Sequence, residues 1–179
     1  MNLEELYSSV DDFMQLFLPI YRKQLLSSGQ RQRNREGQMS MSEMISLVVL
    51  FHQSGYRCFK HFYQGYVALH LQAAYPTLIS YSRFIQLMPR ILVPLCAYLQ
   101  SLYGKPTGIS YIDSAKLAVC HNLRIPRHRV FAGIAERGKT SRGWFYGFKL
   151  HVLTHEQGHL LAVKLTPGNT DDREPVPSA

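Results

Sequence analysis

The stretch from Gly108 to Lys164 constrains the fold most, because it is the part of the chain that reads as β-sheet and it carries a carboxylate inside a strand. Ile109 to Ala115 (Ile-Ser-Tyr-Ile-Asp-Ser-Ala) has the β-branched and aromatic composition of a strand, bounded upstream by Gly104, Pro106 and Gly108. Asp113 sits in its middle. An ionised side chain in such a run needs a reason, either a cation to hold or a loop to cap. Gly143 to Thr154 reads as a second strand, Glu156-Gln157-Gly158 as a turn, and His159 to Thr166 as the returning strand of a hairpin. Between the first two strands, His121 to Arg142 reads as a long loop. It carries Arg124, Arg127, His128, Arg129, Arg137, Lys139 and Arg142 against Glu136 alone.

The chain before this stretch reads as helix. Leu3, Leu6, Tyr7, Val10, Phe13, Met14 and Phe17 recur at spacings of three and four over residues 2 to 27, with Pro19 as a potential kink. Ser27 to Gln38, with Arg31, Arg33 and Arg35 alternating with polar residues, is a linker: either a basic strip for phosphates or a solvated loop. Ser40-Met-Ser-Glu43 has the pattern of a capping box and opens a helix through Met44, Leu47, Val48 and Phe51. Tyr56 to Tyr75 reads as an aromatic-rich helix, Ser80 as the N-cap of a short one, and Leu92 to Tyr103 as the last. Tyr81, Ser82, Arg83 and Gln86 near one helix start suit a helix-turn-helix-like reader of DNA, and equally suit ordinary helix packing.

Twenty Lys and Arg against twelve Asp and Glu leave a formal charge of +8, which points to a polyanion as partner: nucleic acid first, an anionic membrane or a plain basic surface otherwise. Cys58, Cys96 and Cys120 are too widely spaced for a disulfide framework or a Cys-x-x-Cys zinc site, and are expected to be reduced and buried. The acidic N-terminus lacks the features of a signal peptide, and the most apolar window, Phe84 to Tyr103, is broken by Pro89, Arg90 and Pro94. These features predict a cytoplasmic, nucleoid-associated protein without membrane contact. His151, His155 and His159 recur every fourth residue, but in a hairpin His151 and His155 share a face while His159 lies across the turn, and structural zinc sites usually show Cys or Cys-His pairs, so a zinc site is not expected. Trp144 and Tyr146 are expected in the core, with base stacking as the alternative.

Four motifs carry a resemblance to a family. Tyr-Ile-Asp-Ser at 111 to 114, Val-Cys-His-Asn at 119 to 122, the run from Gly138 to His151 and Leu-Thr-Pro-Gly-Asn at 165 to 169 together resemble the DDE transposases of bacterial insertion sequences. The insertion sequence 982 family is the nearest in pattern, over residues 108 to 176. The resemblance implies an α+β chain: an N-terminal all-helical, DNA-binding domain over 1–103, a linker at 104–108, and over 109–179 the first three strands of a ribonuclease-H-like mixed sheet whose first strand is central. It implies a homodimer acting on double-stranded DNA, namely terminal inverted repeats and a target, by metal-dependent strand cleavage and transfer. Two Mg²⁺ or Mn²⁺ ions about 4 Å apart serve such chemistry and need carboxylate oxygens.

Asp113 matches the first of those carboxylates, as catalytic residue and metal ligand. DNA contacts are expected from Arg83, Arg124, Arg127, Arg129, Lys139, Arg142 and Lys149. The family's second Asp, before Lys-Gly-Tyr, and its later Glu have no counterpart up to Ala179. Asp171 and Asp172 read as the turn and N-cap leading to a next helix, and Glu174, before Pro175, is no better a candidate for a ligand. The expectation is therefore the N-terminal part of a transposase, catalytically incomplete, with a DNA-binding remnant that competes with the intact enzyme as the alternative.

Overall fold

The stripe of apolar residues near the N-terminus folds as one helix, α1 (Leu3–Ser27), in a computed structural model that describes residues 2–29, 37–106, 108–141 and 143–172. Pro19 lies within α1 without dividing it; its ring is on the exposed side, where water can satisfy the carbonyl whose partner it removes. The capping box forms as its residues predict. Glu43 N–H donates to Ser40 Oγ at 3.1 Å and Ser40 N–H to Glu43 Oε2 at 2.6 Å, opening α2 (Met41–Gln53).

The aromatic stretch is shorter and less regular than predicted. It begins at Phe59, not Tyr56, as α3 (Phe59–His61), widens into π turns over Phe62–Val67, and closes as α4 (Ala68–His70). The wide turn brings residues five apart onto one side, so Phe62, Tyr63 and Val67 enter the core together. Tyr63 Oη donates to the Ile79 carbonyl at 2.7 Å and ties this helix to the chain before the next. Ser80 caps α5 (Tyr81–Leu87), accepting from Arg83 N–H at 3.3 Å; a 3₁₀ turn (Met88–Ile91) and α6 (Leu92–Ser101) follow. Leu6, Val10 and Met14 of α1 pack with Ile45, Leu47, Phe62, Val67 and Phe84. Each such side chain contributes about 1.5–3 kcal/mol by leaving water.

These helices form one unit, Met1–Ser101; the strands belong to a second, Leu102–Ala179. The sheet has four strands: β1 (Ser110–Cys120), β2 (Glu136–Thr140), β3 (Gly143–His155) and β4 (Leu160–Pro167). All the pairings are antiparallel. Three expectations are thereby corrected. The described sheet has four strands rather than three and is not mixed. Among the described residues β3, not β1, is central: β1 pairs along one of its edges, while β4 and β2 share the other. The supposed long basic loop is a 3₁₀ helix (Asn122–Arg127), a turn, and then β2, which returns on β3 through a tight turn. Glu-Arg-Gly-Lys-Thr holds no apolar residue, so it sends no strand signal; its neighbour β3 supplies the ladder.

The cysteines also differ from expectation. All three are free, but Cys58 and Cys96 are exposed and Cys120 is half-buried.

Candidate nucleic-acid and catalytic face

Successive residues of a strand alternate between faces, and residues opposite each other in a ladder share one. Asp113 is opposite Val152, Ala115 opposite Leu150 and Leu117 opposite Phe148. Val163 and Leu165 of β4 continue these rows. At the far end of β3 the same alternation adds Trp144 and Tyr146, with Lys139 and Arg137 of β2 opposite them. Asp113 thus stands, exposed, on a mostly apolar sheet face whose other end is basic and aromatic. The eight strand steps from Trp144 to Val152 span about 27 Å, roughly the length of eight base pairs at 3.4 Å per phosphate.

The segment after β1 folds onto this face. Phe131 meets Phe148 edge to face, with ring centroids 5.5 Å apart, and His128 lies against both Phe131 (5.8 Å) and Tyr146 (6.2 Å). Asn122 Nδ2 donates to the Trp144 carbonyl at 3.3 Å. These anchors leave Arg124, Arg127 and Arg129 exposed, in a segment fastened to the face that carries Asp113. Trp144 is not the core residue expected: it is 63% exposed, with Lys139 Nζ 5.8 Å from its ring centroid. Tyr146 is buried. An exposed indole beside cations is suited to stacking on a nucleobase.

Lys149 belongs to the opposite face, and its expected role in DNA contact is corrected. It is 8% exposed, pairs with Asp172 Oδ1 at 3.0 Å and donates to the Thr170 carbonyl at 2.7 Å, so its ammonium is already engaged. The Lys149 hydrogen bond is the largest influence and holds the Asp172 carboxyl below its ordinary pKa; burial opposes it, and Ser114 and the Lys149 charge add smaller lowering effects. Asp172 does lie in a turn, as expected, but its carboxylate is spent on Lys149 on the face away from Asp113.

The three histidines do not converge. His151 Nε2 and Thr166 Oγ1 share a hydrogen bond of 2.8 Å, while the His155 and His159 rings lie tilted against each other with centroids 4.7 Å apart. Arg83 is exposed in the helical unit, its guanidinium donating to Gln86 Oε1 at 3.2 Å. Arg142, the Arg31–Arg35 strip and Glu174 lie outside the described residues.

Asp113 itself is held by its neighbour: Ser114 N–H donates to Oδ1 at 2.8 Å. Hard divalent ions take six or more oxygen ligands. Among the described residues no group of three or more His, Cys, Asp or Glu gathers to hold one, so Asp113 supplies one carboxylate and a two-ion cage is not formed by these residues. Sequence reasoning nominated Asp113 and the arginines as site residues but missed the contribution of β2 and the partnership of Lys149, Thr170 and Asp172. Alternation offered one signal: a residue next to Asp113 must point to the other face.

An exposed strand carboxylate thus stands on the same face as a fastened basic segment. Residues 103–179 match the family described as the transposase DDE domain. The match supports a DDE-type transposase, a class that acts on DNA and generally depends on divalent metal. No curated protein and no solved structure matches the chain. Among the described residues no helix is long and apolar enough to cross a membrane.

Proposed function

We propose that this chain is a transposase of the insertion sequence 982 type, which binds the ends of its element and takes part in metal-dependent strand cleavage and transfer. The observation that carries the proposal is the shared face of Asp113, Lys139, Trp144 and the segment bearing Arg124, Arg127 and Arg129. Phosphates settle on the cations and fix the duplex on the face, while Trp144 stacks on an unpaired base near the cut. Arg83 and Gln86, exposed on α5, read the element end in the helical unit. The antiparallel run β1, β3, β4 agrees with the start of a ribonuclease-H-like sheet. Asp113 is one carboxylate of the reaction site, and Mg²⁺ or Mn²⁺ supplies activation of the attacking oxygen when further carboxylates complete the cage. The working form is a homodimer joining two ends.

The test is strand cleavage and transfer on a labelled duplex carrying the element's own end, with Mg²⁺ or Mn²⁺, for this chain and its Asp113→Ala variant. Metal-dependent cleavage that disappears in the variant is the expected result for an active enzyme. A second reading is favoured by the single carboxylate among the described residues: a module that occupies element ends without cutting them. A shifted band that needs no metal and survives Asp113→Ala, with no cleavage, selects that reading. Cleavage retained by Asp113→Ala removes Asp113 from the chemistry.

A further inference from the structure

The face that carries Asp113 is divided by charge. At one end stand Arg137 and Lys139 of β2, with Trp144 opposite Lys139, and the segment of Arg124, Arg127 and Arg129 is anchored there through Phe131 on Phe148. Toward the other end, the rows of Ala115, Asp113 and Tyr111 continue through Leu150, Val152 and Thr154 of β3 to Leu165, Val163 and Leu160 of β4. Lys116, Lys149 and Lys164 alternate to the opposite face, so among the described residues these rows hold no cation. Apart from an ion held at Asp113, nothing in them draws a phosphate.

What this end offers instead is an aromatic ring. Tyr111 is two residues from Asp113, hence on the same face and about 7 Å along the strand. At 60% exposure it is the most exposed tyrosine among the described residues, whereas Tyr63, Tyr75, Tyr98 and Tyr146 are buried. Leu117 and Leu165, both exposed, extend the same apolar surface. Among the described residues β1 is paired along one edge only, so the ring is open from the face and from the free edge. A closed duplex shows its phosphates and the edges of its bases, not their flat faces. Unpaired bases do show them, and stack on the aromatic side chains of an open sheet with little regard to sequence.

We propose that the Asp113 end of this face holds an unpaired DNA strand, with a nucleobase stacked on Tyr111 beside the reacting phosphate, so that the substrate is a frayed or forked end rather than a closed duplex. The proposal rests on the reading of this face as the one that meets DNA, and adds which form of DNA it takes. The duplex lies with its phosphates on the cationic end, Trp144 stacks where the strands part, and the single strand runs on to Tyr111. Thr154, opposite Tyr111, is ten strand steps from Trp144, about 33 Å. A strand stacked at 3.4 Å per nucleotide covers that distance in about ten nucleotides, and an extended one in fewer. Tyr111 holds the base, and Asp113 with its ion meets the phosphate.

The experiment measures binding by the full chain, without metal and so without chemistry, to two labelled probes. One is a blunt duplex; the other is the same duplex with a single-stranded overhang of about ten nucleotides, the length that reaches Tyr111. A further set carries 2-aminopurine at one overhang position at a time. The overhang is expected to tighten binding, with 2-aminopurine quenched most at one position. Tyr111→Leu is expected to weaken binding to the overhang probe by about fivefold to a hundredfold, the range for one stacked base, and to abolish that quenching. It leaves the blunt duplex bound as in the parent, which shows the fold intact. Tyr111→Phe keeps the ring and is expected within about twofold of the parent on both probes. Equal affinity of the parent for the two probes overturns the proposal, as does an overhang affinity that Tyr111→Leu leaves unchanged or lowers no more than the blunt one. Equal losses in Tyr111→Phe and Tyr111→Leu also overturn it, by assigning the effect to the hydroxyl. Failure to bind either probe overturns the DNA-facing reading beneath the proposal and the proposal with it. The part of Asp113 in the chemistry is decided separately, since cleavage retained by Asp113→Ala removes it whatever the overhang does.

Discussion

A Cβ on Gly147 has no room. It would run into the Leu117 carbonyl and lie 3.0 Å from the Val119 amide, on a backbone whose φ is +157°. This is where β1 slips its register against β3, so the glycine permits the close approach that the irregularity requires. The Gly147 carbonyl also accepts from Gly168 N–H at 3.0 Å, which brings the turn after β4 back onto the sheet. Gly147→Ala is expected to destabilise the strand unit by about 2–4 kcal/mol, from overpacking against backbone that cannot yield. Denaturant unfolding followed by the fluorescence of Trp144, the sole tryptophan, reads that unit alone. Leu123→Ala, at an exposed position of the same unit, serves as the control and is expected within about 0.5 kcal/mol of the parent. Equal midpoints for the two variants would remove the argument from close approach.

Elements were legible where one strong local rule acts. The stripe of α1, the reciprocal Ser40–Glu43 cap and the Gly158 turn each need only neighbours in sequence, and each formed where its residues placed it. The strand of Asp113 was legible too, although it runs on to Cys120. β2 was not, because its residues become a strand through the ladder of β3 rather than through their own preference. Lys149 was misread for a related reason. A lysine in a basic chain suggests phosphate, and its carboxylate partner lies 23 residues on, beyond any local pattern. The π turns escaped because aromatic packing, not spacing, sets them, and they carry a measurable consequence at Tyr63. Burial pushes its phenol up to about 12, since the interior disfavours the phenolate. The folded-state value is raised, so this contribution to stability is fully present below pH 10 and is lost as pH rises toward 12. Helical melting followed by circular dichroism is expected to fall in temperature from pH 10 upward. Tyr63→Phe lowers the neutral-pH melting point by removing the bond to Ile79 and flattens the alkaline decline; a decline as steep as the parent's would assign it to other groups.

At the scale of the molecule, the two units divide the physical work. The helical unit holds most of the buried apolar side chains, whereas the strand unit buries Ala135, Phe145 and Tyr146 beside polar groups and exposes Tyr111, Leu117, Trp144 and Leu165. That apolar face, carrying Asp113 and flanked by cations, is exposed among the described residues. The charge of +8 matters through where its cations stand. Each phosphate neutralised by an exposed cation releases counterions and contributes about 0.9 to the slope of log affinity against log salt. If Arg124, Arg127, Arg129 and Lys139 each meet one phosphate, these four alone weaken duplex binding about a hundredfold between 50 and 200 mM salt. Changing any one of them to Ala is expected to reduce the slope by about 0.9, and changing all four by about 3.6. Lys149→Met gives the decisive contrast. It removes the same formal charge, yet its ammonium faces Asp172 and Thr170 on the other side of the sheet, so the slope is expected to stay as in the parent. Fluorescence anisotropy on one labelled duplex, titrated at several salt concentrations, measures every variant. Equal slopes for Lys149→Met and Arg127→Ala would mean that affinity follows net charge alone, and the face around Asp113 would then have no privileged claim on DNA.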